Sequence, residues 1–191
     1  MKNIFFYLLI FYFLNSCQSV EKIDNVVFDY SQFSKLNFLT NAIEVNNKYK
    51  VILDEPFVDH ILEISPSTRM VDWINNNIKI FGVERKIVIE IIEAAIIESE
   101  ISSEEKIIGI LKKPNEIKYS LKFDTVFSIY DDYDNLLAKT QVKVQRSITS
   151  PKSISLYERE QTLEELVYKS LKDFALKSEE LSKKHLNAYI L

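Results

Sequence analysis

From Ile117 to Ile129 apolar and polar side chains alternate without a break: Ile117, Tyr119, Leu121, Phe123, Thr125, Phe127 and Ile129 against Lys118, Ser120, Lys122, Asp124, Val126, Ser128 and Tyr130. A period of two belongs to extended backbone, so this stretch reads as a strand with one buried and one wet face. Asp131-Asp132-Tyr133-Asp134-Asn135 reads as a turn, and Ala138, Thr140, Val142 and Val144 alternate with Lys139, Gln141, Lys143 and Gln145 in a returning strand. Together they predict a long antiparallel hairpin.

The flanking segments supply the cover for such a hairpin. Ser65-Pro66-Ser67-Thr68 places a capping hydroxyl and an N1 proline before Met70, Trp73, Ile74, Asn77 and Ile78, one face of a helix that ends at Phe81-Gly82. After Ser150-Pro151, the segment from Ser153 to about Leu186 reads as a long helix with Leu163, Leu166, Val167, Leu171, Phe174 and Leu181 on one side. Its acidic start (Glu158, Glu160, Glu164, Glu165) and basic end (Lys177, Lys183, Lys184) complement the helix dipole. Lys86 to Glu98 is dense in Ile and Val and fits a central strand buried on much of both faces, with a helix as the competing reading. Leu36 to about Val51 predicts a first strand with a turn at Asn46-Asn47, residues 54–63 an extended segment or single turn, and residues 99–116 a loop with an apolar centre. The expected class is α+β: a mostly antiparallel sheet of about four strands, with a short helix and a long C-terminal helix packed on one face.

At the other end of the chain, Met1-Lys2-Asn3 precedes an apolar run from Ile4 to Leu14, then Asn15-Ser16-Cys17. As a helix the run reaches about 17 Å, against roughly 30 Å for a bilayer core, so it is too short to span. A basic start, an apolar centre and small or polar residues at the end are the layout of a secretory signal. The segment resembles a bacterial lipoprotein signal, with Leu14-Asn15-Ser16-Cys17 as the lipobox. Asn15 stands where a small residue is usual; Leu14, Ser16 and Cys17 match. The resemblance implies cleavage before Cys17 and its acylation with fatty acid. Cys17 is the only cysteine, so it has no disulfide partner within the chain. Several acyl chains exceed the threshold for stable anchoring. Gln18, where aspartate marks inner-membrane retention, implies delivery to the outer membrane. The expected organisation is a signal peptide at 1–16, a lipidated tether at 17–34 and a single α+β domain at 35–191.

Chemistry is sparse. Two glycines leave no room for phosphate-cradling loops, and 24 basic against 28 acidic residues give a net charge of −4, which does not indicate a nucleic-acid-binding surface. His60 and His185 read as surface or boundary residues. The Asp131, Asp132 and Asp134 cluster lacks EF-hand spacing and reads as a solvated turn. Glu90 and Glu93, or Glu104 and Glu105, are paired carboxylates without a visible pocket, and no serine sits in a G-x-S-x-G setting. Lys112, Lys113, Lys118 and Lys122 form a small cationic patch or, more simply, a solvated face. Trp73 belongs to the core, and Arg146, on the inward register of its strand, requires a carboxylate or carbonyl partner. No catalytic, metal or cofactor site emerges, and the one candidate site residue is the lipidated Cys17.

The stretches PFVDHILEISPSTRMVDWINNNI, AKTQVKVQRSITSP and SLYEREQTLEELV make the chain similar to uncharacterised alphaproteobacterial lipoproteins over roughly residues 55–175. More remotely, a lipidated cysteine before a small α+β domain resembles auxiliary lipoproteins of envelope lipid transporters and the lipopolysaccharide-assembly lipoprotein. These resemblances imply a non-enzymatic, periplasm-facing outer-membrane lipoprotein. Its implied partners are the membrane, through the lipid, and an envelope protein; nucleic acid is not among them. A lipid or small apolar ligand binder is the alternative.

Overall fold

The computed structural model describes residues 26–101 and 116–191; Cys17, with the rest of the anchor segment, and most of the 99–116 insertion lie outside them. In chain order the elements are β1 (Leu36–Phe38), β2 (Ala42–Asn47), α1 (Pro66–Asn77), β3 (Ile78–Ile80), β4 (Lys86–Glu100), β5 (Glu116–Tyr130), β6 (Leu136–Pro151) and α2 (Leu156–His185). Single 3-10 turns occur at Tyr30–Gln32, Asp59–Ile61 and Asn187–Tyr189.

The α+β class holds, with a four-stranded sheet in the order β2-β4-β5-β6. The predicted hairpin is β5 and β6, with Phe123 opposite Val144 and Phe127 opposite Thr140. The sheet is mostly antiparallel, as expected: β4, β5 and β6 are antiparallel neighbours, while β2 runs parallel to β4 and makes the sheet mixed. Parallel neighbours need a crossover connection, and α1 lies in the one that returns the chain from β2 to β4.

The expected first strand is two. β1 pairs in parallel with β3, Leu36 opposite Ile78, whereas β2 belongs to the larger sheet. The break falls where the backbone of Gly82 closes on the chain: its N–H donates to the carbonyl of Thr40 at 2.9 Å. A Cβ on Gly82 would lie 2.5 Å from the backbone of Leu39 and Thr40. On its other edge β1 meets the chain end, where Phe38 bridges Ile190.

Helix α1 begins as expected, with the Ser65 hydroxyl accepting from the Thr68 N–H at 3.2 Å and Pro66 in the first turn. It stops at Asn77 rather than near Phe81, because Ile78 to Ile80 are taken into β3. Asn77 secures the exit by donating its side-chain amide to the carbonyls of Tyr30 and Phe33, at 2.8 and 3.1 Å. Helix α2 starts with a capping box in which Ser155 and Glu158 bond each other's backbone N–H groups.

β4 explains why its sequence lacks a clean alternation. Ile87, Ile89 and Ile91 point into the core, a bulge between Ile91 and Glu93 shifts the register, and Ala94 and Ile96 then take over the inward side. The helices cover that side: Phe174 of α2 meets Trp73 of α1 and Phe123 of β5 edge to face, at 5.4 and 5.8 Å. Trp73, Phe123, Phe127 and Phe174 are fully buried, as Trp73 was expected to be. The opposite face is less wet than the alternation implies. Asp124, Val126 and Ser128 are buried at its centre, because long side chains fold across them: Gln141 donates to Asp124 at 2.7 Å, Lys143 pairs with the same carboxylate at 3.2 Å, and Lys122 pairs with Glu93.

Candidate functional site

Three places on the domain have the character of a site. They are the seam where the chain enters, the outer edge of β6, and the loops at the far end of the hairpin.

The entry seam is built from residues read above as tether. Asp29 caps the turn at Tyr30–Gln32 by accepting from the Ser31 N–H at 3.0 Å, and this presents Phe28, Tyr30 and Phe33 to the helices. Phe28 and Phe33 pack on Tyr168 of α2, with ring centroids 5.5 and 5.4 Å apart. Phe28 also lies under the Arg69 guanidinium, 3.8 Å from ring centre to Cζ, while Arg69 reaches Glu164 at 3.5 Å. Both charges are largely withdrawn from water. Burial pushes the Glu164 carboxyl above its ordinary range, opposed by Arg69, and burial likewise raises the Tyr30 hydroxyl. Val26 then lines an open groove of about 700 Å³ between Ile148–Pro151 of β6 and the first half of α2. Within the span 17–34, Phe28, Tyr30 and Phe33 thus pack on the domain. The signal that points to docking is the aromatic spacing 28, 30, 33 around a turn-forming Asp-Tyr-Ser.

Of the residues singled out in the sequence, Arg146 has the partner its register demands: its Nε and Nη2 both donate to Asp173 of α2 at 2.8 Å. That hydrogen bonding holds the guanidinium above its usual value. His60 and His185 are exposed and 125 positions apart in sequence, in a turn and at the end of α2. Asp131 accepts from the N–H groups of Tyr133 and Asn135, Asp132 from that of Arg85, and Asp134 pairs with Lys86, so the chain's own donors occupy the turn carboxylates. Glu90 pairs with Lys48 and Glu93 with Lys122, so each carboxylate is engaged by a lysine, and Lys122 of the cationic patch is engaged with it. Among the described residues no group of three metal-ligating side chains converges.

One buried acid was not foreseen. Asp59 is fully buried, and Tyr49 donates to its Oδ2 at 3.0 Å. Burial raises both groups above their ordinary values. It sits under β4, where Val58 donates to Ile96 and Glu98 to Pro56, tying residues 56–58 to the strand. A second open groove, of about 630 Å³, runs beside this segment past Glu98, Lys152 and Arg159. Four of its charged side chains are paired, Arg159 with Glu98 and Lys152 with Glu100.

The outer edge of β6 is the longest unpaired strand edge among the described residues. β6 hydrogen-bonds β5 over its length, and among the described residues no strand pairs its other side. Lys139, Gln141, Lys143, Gln145, Ser147 and Thr149 stand exposed along the face away from the helices.

No protein-family model matches the chain, and no curated protein is significantly similar to it. Among solved structures it is similar to a minor lipoprotein from Acinetobacter baumannii, at 11% identity and a TM-score of 0.41, over 78% of this chain and 92% of that one. It is also similar to rare lipoprotein B from Shewanella oneidensis, at 18% identity and the same TM-score, over 78% and 98%. Neither similarity is close enough to assign a family or an activity.

Proposed function

We propose that this protein is a non-enzymatic lipoprotein of the cell envelope, anchored in the outer membrane through acylated Cys17 and facing the periplasm. There it serves as an accessory component of a transport or assembly complex. The observation that carries the accessory role is the open edge of β6, sixteen residues long. An exposed edge of that length offers a row of backbone donors and acceptors to an incoming strand, with side-chain rows above and below to select it. Lys139 and Lys143 on the edge discourage indiscriminate pairing, which fits an edge kept for a chosen partner. The anchor reading is supported by the sequence of residues 1–17 and by the docking of Phe28, Tyr30 and Phe33. From Cys17 to Val26 an extended chain reaches about 30 Å, so the docked seam holds the domain close to the membrane.

A lipid-binding role has less support, since Trp73, Phe123, Phe127 and Phe174 fill the space between sheet and helices that such a ligand would need. The test is photo-crosslinking in intact envelopes from Gln145 on the edge of β6, read alongside a Cys17→Ser variant. Adducts to one envelope protein and release of Cys17→Ser from membranes are expected. Recovery of monomer alone, or tight membrane attachment without Cys17, would overturn the corresponding half of the reading.

A further inference from the structure

Beyond the β6 edge, the end of the sheet opposite the chain's entry carries a second surface. Val26 shares a groove with Pro151, at one end of β6. The turn at residues 131–135 lies at the other end, on the order of 45 Å away for a strand of fifteen residues such as β5. Around it Val83 is 88% exposed, Tyr133 87%, Phe81 62% and Leu136 52%. Isolated exposed apolar residues need no explanation, but here four large ones stand on two segments that Arg85–Asp132 and Lys86–Asp134 contacts bring together.

The two loops are fixed to each other and to the sheet. Asp132 accepts from the Arg85 N–H at 3.1 Å, Asp134 pairs with Lys86 at 2.7 Å, and the Asn41 amide reaches the Val83 carbonyl at 3.4 Å. Gly82 lets the strand-leaving backbone press against Leu39 and Thr40, where any Cβ would collide. Arg85 adopts φ 70 and Asp134 φ 63, left-handed conformations held in place by these same bonds. The apolar side chains are thus held out on a braced platform, and pre-ordering of this kind lowers the entropic cost of binding.

Charge decides what the platform fits. Glu84, Asp131, Asp132 and Asp134 lie on these two loops against Arg85 and Lys86, four acids to two bases, and the aspartates keep their charge while accepting from the loops' own donors. Arg85 is drawn back over the Tyr189 ring at 5.3 Å, and Lys86 is bound to Asp134. An anionic bilayer surface is repelled by such a rim, and a second copy of the same acidic rim is repelled as well. We infer that Phe81, Val83, Tyr133 and Leu136, braced by the Asp132–Arg85 and Asp134–Lys86 contacts, form a docking tip for a protein partner that offers an apolar pocket bordered by basic side chains.

The test uses the full chain in its own envelope, with the photoreactive residue benzoylphenylalanine placed at Val83, at Tyr133 and, as a control, at Lys172 on the exposed side of α2. Capture of one and the same polypeptide from positions 83 and 133, but not from 172, is expected, with the adduct mapping beside lysines or arginines of that polypeptide. Phe81→Asp should cut the yield from position 133 at least fivefold, and Glu84→Lys at least threefold, with circular dichroism unchanged because both side chains are exposed. Adducts to lipid or to a second copy, no adduct at all, or yields indifferent to both substitutions would overturn the proposal. Crosslinks from Gln145 report separately on the β6 edge.

Discussion

Arg146 and Asp173 join the edge strand to the long helix through a single carboxylate oxygen that accepts from both Nε and Nη2 at 2.8 Å. Each side chain is about two-fifths exposed, so water screens the pair. A double-mutant cycle with Arg146→Ala and Asp173→Ala should return a coupling of about 0.5–1 kcal/mol. A coupling near zero in urea unfolding would mean that the contact merely accompanies the packing of α2.

Trp73 fills the space between α1 and α2, with Phe174 against its face. Trp73→Ala should destabilise by about 3–5 kcal/mol, as expected for a large aromatic removed from a closed core. Trp73→Phe should cost less than half as much. Chemical denaturation followed by circular dichroism measures both, because Trp73 is the chain's one tryptophan and tryptophan fluorescence vanishes with it.

Asp59 makes stability depend on pH in an unusual sense for a carboxylate. Burial raises its folded value above the ordinary aspartate value near 3.8. The folded state therefore holds the proton more tightly than the unfolded chain. Its contribution is fully present below that ordinary value and is lost as pH rises through the raised one. Replacing it, as in Asp59→Asn, should flatten the fall of the urea midpoint across that interval. An unchanged pH profile would show that the Tyr49–Asp59 pair does not titrate as its burial requires.

Gly82→Ala should destabilise by about 2 kcal/mol or more, since the new methyl carbon would fall 2.5 Å from backbone atoms of Leu39 and Thr40, which have no flexible end to move. A thermal midpoint equal to that of the parent protein would contradict the close approach.

Much of the fold was legible where a period or a cap governs. Residues 117–129 and 138–144 alternate because one side of the hairpin faces Phe174 and its neighbours, and Ser65-Pro66 announces α1 through bonds made within a few residues. The parallel pairing of β2 with β4 was not legible, because it depends on where α1 returns the chain. Nor was the division of β1 from β2, which rests on contacts from Gly82, some forty residues away. The bulge after Ile91 hid the two-residue period of β4. As for the candidate surfaces, Arg146 was readable from register alone. The seam of Phe28, Tyr30 and Phe33 was legible only as aromatic spacing around a turn, since irregular backbone has no period, and the apolar tip needed the 81–85 and 131–137 segments to be seen side by side.

The bridge from Phe38 to Ile190 fastens the first strand with residues from the far end of the sequence. Leu39 donates to Tyr189 and Leu191 to Asn37, so the small sheet begun near residue 36 is completed only by residues some 150 positions later. The β5–β6 hairpin, by contrast, pairs residues close in sequence and can form early. β1 has one open side along Asn37 and Leu39 without residues 189–191. A ribosome still holding those residues, or a protease that trimmed them, would leave the domain with its first strand unfastened.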